Sequence, residues 1–317
     1  MVSIKETMET SLNLIRNVNS GDPFSRYKSW EYCHDIFYSF HKKIVDEGYV
    51  MKPEDYDLLA LHLSFYLASW GMYRGSTFLL QRDYKTHINV VKVVLNDNYA
   101  DLWDFNPCDK GKEELEQIIE LANTAYQKIF DAYGTIDEKK YLEPENEKDE
   151  PITVTLITKI LLGTFAISPA FDTFFISGIR CYKKNNKEVK LGCASFYEKA
   201  DDFKDCLDYL FHFCKENGQK INIPKLNPFN YPMIKKLDMY FWQLGFQCSF
   251  ISLLDDKIKN FNVDDYKTEK SKRPLKRLRN NLIRNFPSEL KFDKDFCSLD
   301  SLQNAKETIE NYIKKAQ

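Results

Sequence analysis

The sequence predicts an all-α protein in which two helical lobes flank a cleft. Apolar residues recur at intervals of three and four along most of the 317-residue chain. No long alternating β-branched run and no internal repeat competes with that period. Clusters of Gly, Pro and Asn punctuate it at helix-like lengths.

In residues 3–18, Ile4, Met8, Leu12 and Ile15 form one helical face, closed by the breaker Asn19-Ser20-Gly21-Asp22-Pro23. Phe24–Val45 reads as the next helix, with Trp30, Cys33, Phe37, Phe40 and Ile44 on its stripe. Lys52-Pro53-Glu54-Asp55 opens a third, since proline and acids suit a first turn. From Leu58 to Trp70 it is apolar on nearly all sides, which predicts a helix through the middle of a domain. It ends at Trp70-Gly71-Met72-Tyr73-Arg74-Gly75-Ser76, where two glycines allow a tight turn. A helix resumes over Thr77–Leu95, residues 96–110 are irregular, and Lys112–Tyr133 is amphipathic. Residues 136–151 are acidic with little to bury, and divide an N-terminal lobe (1–135) from a C-terminal one (152–317).

Residues 152–176 are the most apolar stretch, read as a buried helix, a turn at Ser168-Pro169 and a second helix starting near Asp172. A charged loop at 182–190, a helix over Ser195–Asn217, an extended proline-bearing segment at 221–232 and a helix over Met233–Leu244 follow. Residues 267–284 hold eight Lys/Arg and one acid, and Pro274 argues against one uninterrupted helix there. An amphipathic helix near 301–315 closes the chain.

The net charge of −2 is silent on nucleic acid, so only local clustering can speak. None of the eight cysteines forms a CxxC pair or a zinc-finger spacing; most sit in apolar patterns, as reduced buried thiols do. No metal or organic cofactor is expected. There is no secretory apolar run at the N-terminus and no apolar stretch of spanning length, so a cytoplasmic protein without a membrane partner is expected. Walker, GxGxxG, HExxH, GxSxG and kinase signatures are all missing.

Lys159 and Asp172 interrupt the apolar centre. Charges in so dry a segment are unfavourable unless paired or used. If Asp172 starts the second helix, its carboxylate accepts the free amides there, and the two charges meet in one cleft. Two readings stay open: a reacting centre with a desolvated lysine or poised carboxylate, or a capping aspartate beside a lysine that snorkels outward. Glu31 and His34 share a helix face and could polarise a water or a ribose hydroxyl, or form an ion pair. His62 reads as a hydrogen-bonded core histidine, and Asp238 as a structural ion-pair partner. Lys272, Arg273, Lys276, Arg277 and Arg279 could line DNA phosphates, or form a solvated charged face.

Thr158-Lys159-Ile160-Leu161-Leu162, followed by Pro169-Ala170-Phe171-Asp172, resembles the lysine … Pro-x-x-Asp arrangement of helix–hairpin–helix DNA base-excision glycosylases. The resemblance covers about twenty residues. It implies Lys159 as a candidate nucleophile on the sugar and Asp172 as the stabiliser of the sugar cation. The sequence departs from that family in two ways: the hairpin's Leu-Pro-Gly-x-Gly signature is absent, and Lys159 and Asp172 are closer together. Residues 24–245 are also similar to a group of bacterial helical proteins, through RYKSWE at 26–31, LHLSFYLASWGMYRGS at 61–76 and YPMIKKLDMYFWQLG at 231–245. That group is taken to include an anti-phage glycosylase that removes glucosylated hydroxymethylcytosine from DNA.

The resemblance implies double-stranded phage DNA as partner and a flipped, modified cytosine as substrate. Trp70, Tyr73, Arg74 and Ser76 at the glycine-flanked turn would then supply stacking, phosphate contact and hydrogen bonds, with Glu31 nearby. The alternative for the turn is a helix end packed by Trp70, with Arg74 paired to an acid. The alternative for the whole chain is a non-catalytic helical module that binds nucleic acid or protein.

Overall fold

The computed structural model describes residues 4, 8, 9, 28–75, 77–134, 152–185, 201–221, 231–286, 290–294 and 296–315. Every regular element among them is a helix. Most of the helix expected over 3–18, the acidic segment 136–151, and the bulk of the 182–190 and 221–232 segments lie outside these residues.

Helix α1, Lys28–Glu47, buries Trp30, Cys33, Phe37 and Phe40, the stripe its spacing predicts. Helix α2, Pro53–Ser69, starts on its proline, and Asp55 closes the first turn by accepting the Lys52 amide at 2.8 Å. Contrary to expectation, α2 is not interior all round: Leu58, Leu61 and Phe65 are 41%, 50% and 55% exposed. Its neighbours cover only the side bearing Leu59, Leu63, Tyr66 and Leu67. His62 is half-buried rather than a core residue.

The single helix expected over Thr77–Leu95 is broken. Asp83 accepts the Lys85 amide at 2.9 Å and starts a 3-10 turn, Tyr84–His87, which leads into α3, Ile88–Val94. An aspartate that satisfies a nearby amide restarts the backbone where apolar spacing alone would run on. This places His87, fully buried, between two phenols: Tyr73 Oη lies 2.7 Å from Nε2 and Tyr133 Oη 2.6 Å from Nδ1. Burial pushes its pKa down to about 3. The unfolded chain therefore binds the extra proton between about pH 6.5 and pH 3, and stability contributed by neutral His87 is lost as pH falls through that window. His87→Gln should flatten the acid limb of stability, measured by urea unfolding, by up to ~1.4 kcal/mol per pH unit. An unchanged limb would place the acid sensitivity elsewhere.

Helix α4 is Lys112–Gly134 and α5 is Val154–Gly163, capped by Thr153, whose hydroxyl accepts the Leu156 amide at 3.2 Å. Residues 164–172 turn the chain into α6, Thr173–Asn185, which is the helix–turn–helix expected at 152–176. Helix α7 is Asp201–Ile221. Helix α8, Met233–Lys259, runs well past the Leu244 limit read from the sequence. Helix α9, Glu269–Asn285, is continuous through Pro274, contrary to expectation. The proline sits on the exposed side of the second turn, so it forfeits one amide bond where water solvates the freed carbonyl. Helix α10, Leu299–Lys315, packs on α8.

The most extensive helix pair is α6 with α8. It is set by glycines: a methyl group at Gly178 would fall on the Phe241 carbonyl, and one at Gly245 on the Phe174 carbonyl. The backbones are in contact, which fixes where the α6 N-terminus stands against α8. Cys181 and Cys248 are paired across the same crossing, where the sequence pattern predicts reduced buried thiols at most of the cysteines. Among the described residues no helix is long and apolar enough to cross a membrane.

Candidate functional site

Lys159 lies in the middle of α5, where its neighbours Leu156, Ile160 and Leu162 are buried. Its Nζ donates to the carbonyl of Trp70 at 2.8 Å and stands 3.9 Å from Asp172 Oδ2. Trp70 caps the C-terminus of α2, where carbonyls and the helix dipole favour a cation. Asp172 precedes α6, and its Oδ1 accepts the amides of Phe174 at 3.1 Å and Phe175 at 3.0 Å. Each charge thus sits on the helix end of opposite polarity, and Oδ2 is left to face the lysine. The lysine does not snorkel outward, since it is 6% exposed.

The backbone ahead of Asp172 is held at three points. Asp238 Oδ1 accepts the Ala170 amide at 3.0 Å, Thr158 Oγ1 accepts the Phe171 amide at 3.0 Å, and Thr155 Oγ1 donates to the Phe171 carbonyl at 2.9 Å. Burial raises the Asp172 pKa above its usual 3.8, against the opposing pull of Lys159 and the Phe175 amide; the Asp238 charge pushes the same way as burial.

Two bays meet at this pair. The inner one, a cavity of about 50 Å³, is walled by Trp30, Tyr66, Tyr231 and one face of α8. The outer one, of about 400 Å³, is lined by the 68–74 turn, Thr155 and the start of α6. Trp70, Lys159, Asp172 and Trp242 line both. The Lys159–Asp172 pair therefore stands at a junction shared with Trp70 and Trp242, whose rings meet edge to face with centroids 6.5 Å apart.

Trp70 lines both bays, with its Nε1 donating to Ser29 Oγ at 3.2 Å. Arg74 lies exposed in the outer bay. Gly71 makes that turn with φ of +82°, and its missing side chain leaves room for the Arg74 guanidinium. Tyr73 lines the same bay, but its hydroxyl accepts from Ser64 Oγ and contacts His87, so it is held by the protein. Ser76 lies outside the described residues. Glu31 lines neither bay. It accepts Lys28 Nζ at 2.8 Å and the Tyr231 hydroxyl at 2.6 Å, and so steadies the inner wall from behind.

Glu31 and His34 do not pair. His34 Nδ1 donates to the Thr164 carbonyl at 2.6 Å, because a residue after α5 offers an acceptor closer than the glutamate. Its ring stacks on Trp30, with centroids 4.8 Å apart.

The five basic candidates divide. Lys276 pairs with Glu269 at 2.6 Å and Lys272 with the same carboxylate at 3.6 Å. Arg279 donates to the carbonyls of Phe292 and Asp293 and so ties down the loop after α9. Arg273 and Arg277 are exposed. None of the five lines either bay.

Sequence reasoning missed the polar floor of the inner bay. Lys235, Asp238, Met239, Trp242 and Gln243 all line it from α8. Lys235 Nζ donates to Asp238 Oδ2 at 2.8 Å and lies 5.2 Å over the Trp30 ring and 6.0 Å over the Trp70 ring. Asp238 is the ion-pair partner expected, and it also holds Ala170. The signal was present: charges at 235, 236 and 238 interrupt an apolar helix as Lys159 interrupts α5. Among the described residues no group of three or more His, Cys, Asp and Glu side chains is placed to hold a metal. The chain matches no protein-family model, no curated protein and no solved structure.

Proposed function

We propose that the protein is a DNA glycosylase of the helix–hairpin–helix type that excises a modified cytosine, glucosylated hydroxymethylcytosine in phage DNA, and leaves an abasic site. The observation that supports this reading most is a half-buried carboxylate and a buried ammonium, 3.9 Å apart, at the junction of two tryptophan-walled bays. A deoxyribose at that junction directs its flipped base into one bay and leaves the other for its flanking phosphates or the base's bulky substituent. As the C1′–N bond breaks, its electron pair leaves with the base. Asp172 faces the positive charge left on the sugar, which is worth most in a dry site. A water oxygen then bonds to C1′ and gives one proton to the Asp172 carboxylate, while the departing base takes one from solvent.

Lys159 is assigned to orientation rather than attack. Its ammonium is directed at a carbonyl and a carboxylate, so it holds Asp172 in place and completes a hydrolytic rather than a strand-cleaving centre. The test is to incubate the pure protein with phage DNA carrying glucosylated hydroxymethylcytosine and with unmodified DNA, and to count aldehyde-reactive abasic sites. Sites are expected in the first DNA alone. Their absence from both, at low and at high salt, rejects the proposal.

DNA grip is assigned to the exposed arginines of α9. The double variant Arg273→Glu/Arg277→Glu should weaken duplex binding and reduce the log–log salt slope by about 2, near 0.9 per phosphate contact. Lys276→Gln should change it little, because Glu269 already offsets that charge. An unaltered slope in the double variant removes α9 from the interface.

A further inference from the structure

Gln243 is 2% exposed and lines the inner bay, and its Nε2 has no hydrogen-bond partner among the described residues. A buried amide donor left unsatisfied is unfavourable by about 1–3 kcal/mol, and a ligand acceptor in the bay would relieve it. Five residues earlier on α8, and so about 140° round the helix, Asp238 lines the same bay, and its two oxygens accept one bond each, from Ala170 and Lys235. An ionised carboxylate has about four acceptor positions, so two remain. The inner bay therefore offers an unmet donor at one edge of its α8 floor and an unfilled acceptor at the other, with Trp30, Trp70, Tyr231 and Trp242 among its walls.

We infer that Gln243 and Asp238 read the edge of the base, selecting a cytosine-type edge over a uracil-type one. This rests on the glycosylase reading and deepens it. The cytosine edge sets an exocyclic amino donor beside ring-nitrogen and carbonyl acceptors. Asp238 accepts from the amino group, a pairing that carboxylates make with cytosine N4, and the Gln243 amide donates to the neighbouring acceptor. A uracil-type edge replaces the amino donor by a carbonyl and sets two acceptors face to face. Lys235, held over Trp30 and Trp70, pairs with Asp238 Oδ2 and so fixes the carboxylate at the bay. The rings supply stacking for any base, and the two polar side chains supply the choice.

The test uses the intact protein and free bases, with tryptophan fluorescence as the signal. 5-Hydroxymethylcytosine should bind at least about tenfold tighter than 5-hydroxymethyluracil, since a site built around hydrogen bonds rejects an analogue that leaves them unmade. Gln243→Met, similar in volume, should lose about tenfold in binding of the cytosine base while its Tm stays level or rises, because an unsatisfied amide is removed. Asp238→Asn should shrink the preference to about twofold. Equal binding of the two bases, no binding of either, or unchanged binding by Gln243→Met overturns the assignment. So does a Tm loss of several degrees in Gln243→Met, which marks a structural amide. No bond is broken in this assay. Base selectivity without abasic sites sinks the enzyme reading alone, and abasic sites formed by Gln243→Met with selectivity intact sink this assignment alone.

Discussion

Gly178→Ala is expected to destabilise the protein by about 3 kcal/mol or more, in the upper range for overpacking a rigid contact. In an open helix the same change stabilises by up to ~1 kcal/mol, so the sign of the effect is itself diagnostic. Gly178 has no room for a methyl group, because the obstacle is the Phe241 carbonyl of the facing backbone and not a side chain that can swing away. Gly245→Ala should behave alike, since its methyl would meet the Phe174 carbonyl. Chemical denaturation measures both. Variants as stable as the parent would show that α6 and α8 do not touch through their backbones. The consequence reaches the site, because Phe174 lies two residues beyond Asp172, and Trp242 lies next to Phe241. Forcing the helices apart displaces one wall of the outer bay from the other.

Asp172→Asn should lower base excision by at least about 10²–10³-fold, the range seen when a group facing transition-state charge is removed. The fold should survive. Asparagine caps helices as well as aspartate does, so its side-chain oxygen can keep the Phe174 and Phe175 amides. Lys159 keeps the Trp70 carbonyl. Burial has already raised the Asp172 pKa. A carboxylate raised in the folded state detracts from stability above that pKa, so a neutral side chain removes a burden. A Tm within a few degrees of wild type, together with lost excision, separates a catalytic aspartate from a cap. An unfolded variant supports the cap alone. The wild-type rate should also decline on acidification at a pH above the ordinary carboxylate range, as the raised pKa is crossed. A rate that holds flat into the usual aspartate range would leave the charge of Asp172 out of the reaction.

Much of the architecture was legible because helices declare their buried face by period. Trp30, Cys33, Phe37 and Phe40 are buried together, and the turn between α5 and α6 falls where Ser168-Pro169 placed it. Lys159 and Asp172 were legible for a different reason: a charge that cannot be solvated needs a partner, and each was the other's nearest candidate. What sequence could not supply was which neighbour covers which face. Leu58, Leu61 and Phe65 read as interior and lie exposed, because α2 is apolar on more sides than it has partners among the described residues. Gly245 gave no hint that α8 would run on through it, since only the α6 backbone opposite explains the missing side chain. Glu31 and His34 share a helix face yet answer to Tyr231 and Thr164, partners roughly two hundred and 130 residues away. The floor of the inner bay left a signal in the charges at 235, 236 and 238, but not the neighbours that give it a place. Lys235, Asp238 and Gln243 come to line one bay only when α8 is laid against Trp30 and α5.

The most direct measurement is single-turnover release of base from a duplex oligonucleotide bearing one glucosylated hydroxymethylcytosine, with both products followed by mass spectrometry. The account predicts free modified base and an uncut strand carrying one abasic site, from the wild-type protein and not from Asp172→Asn. An intact nucleotide after prolonged incubation, or equal release by the two proteins, contradicts it.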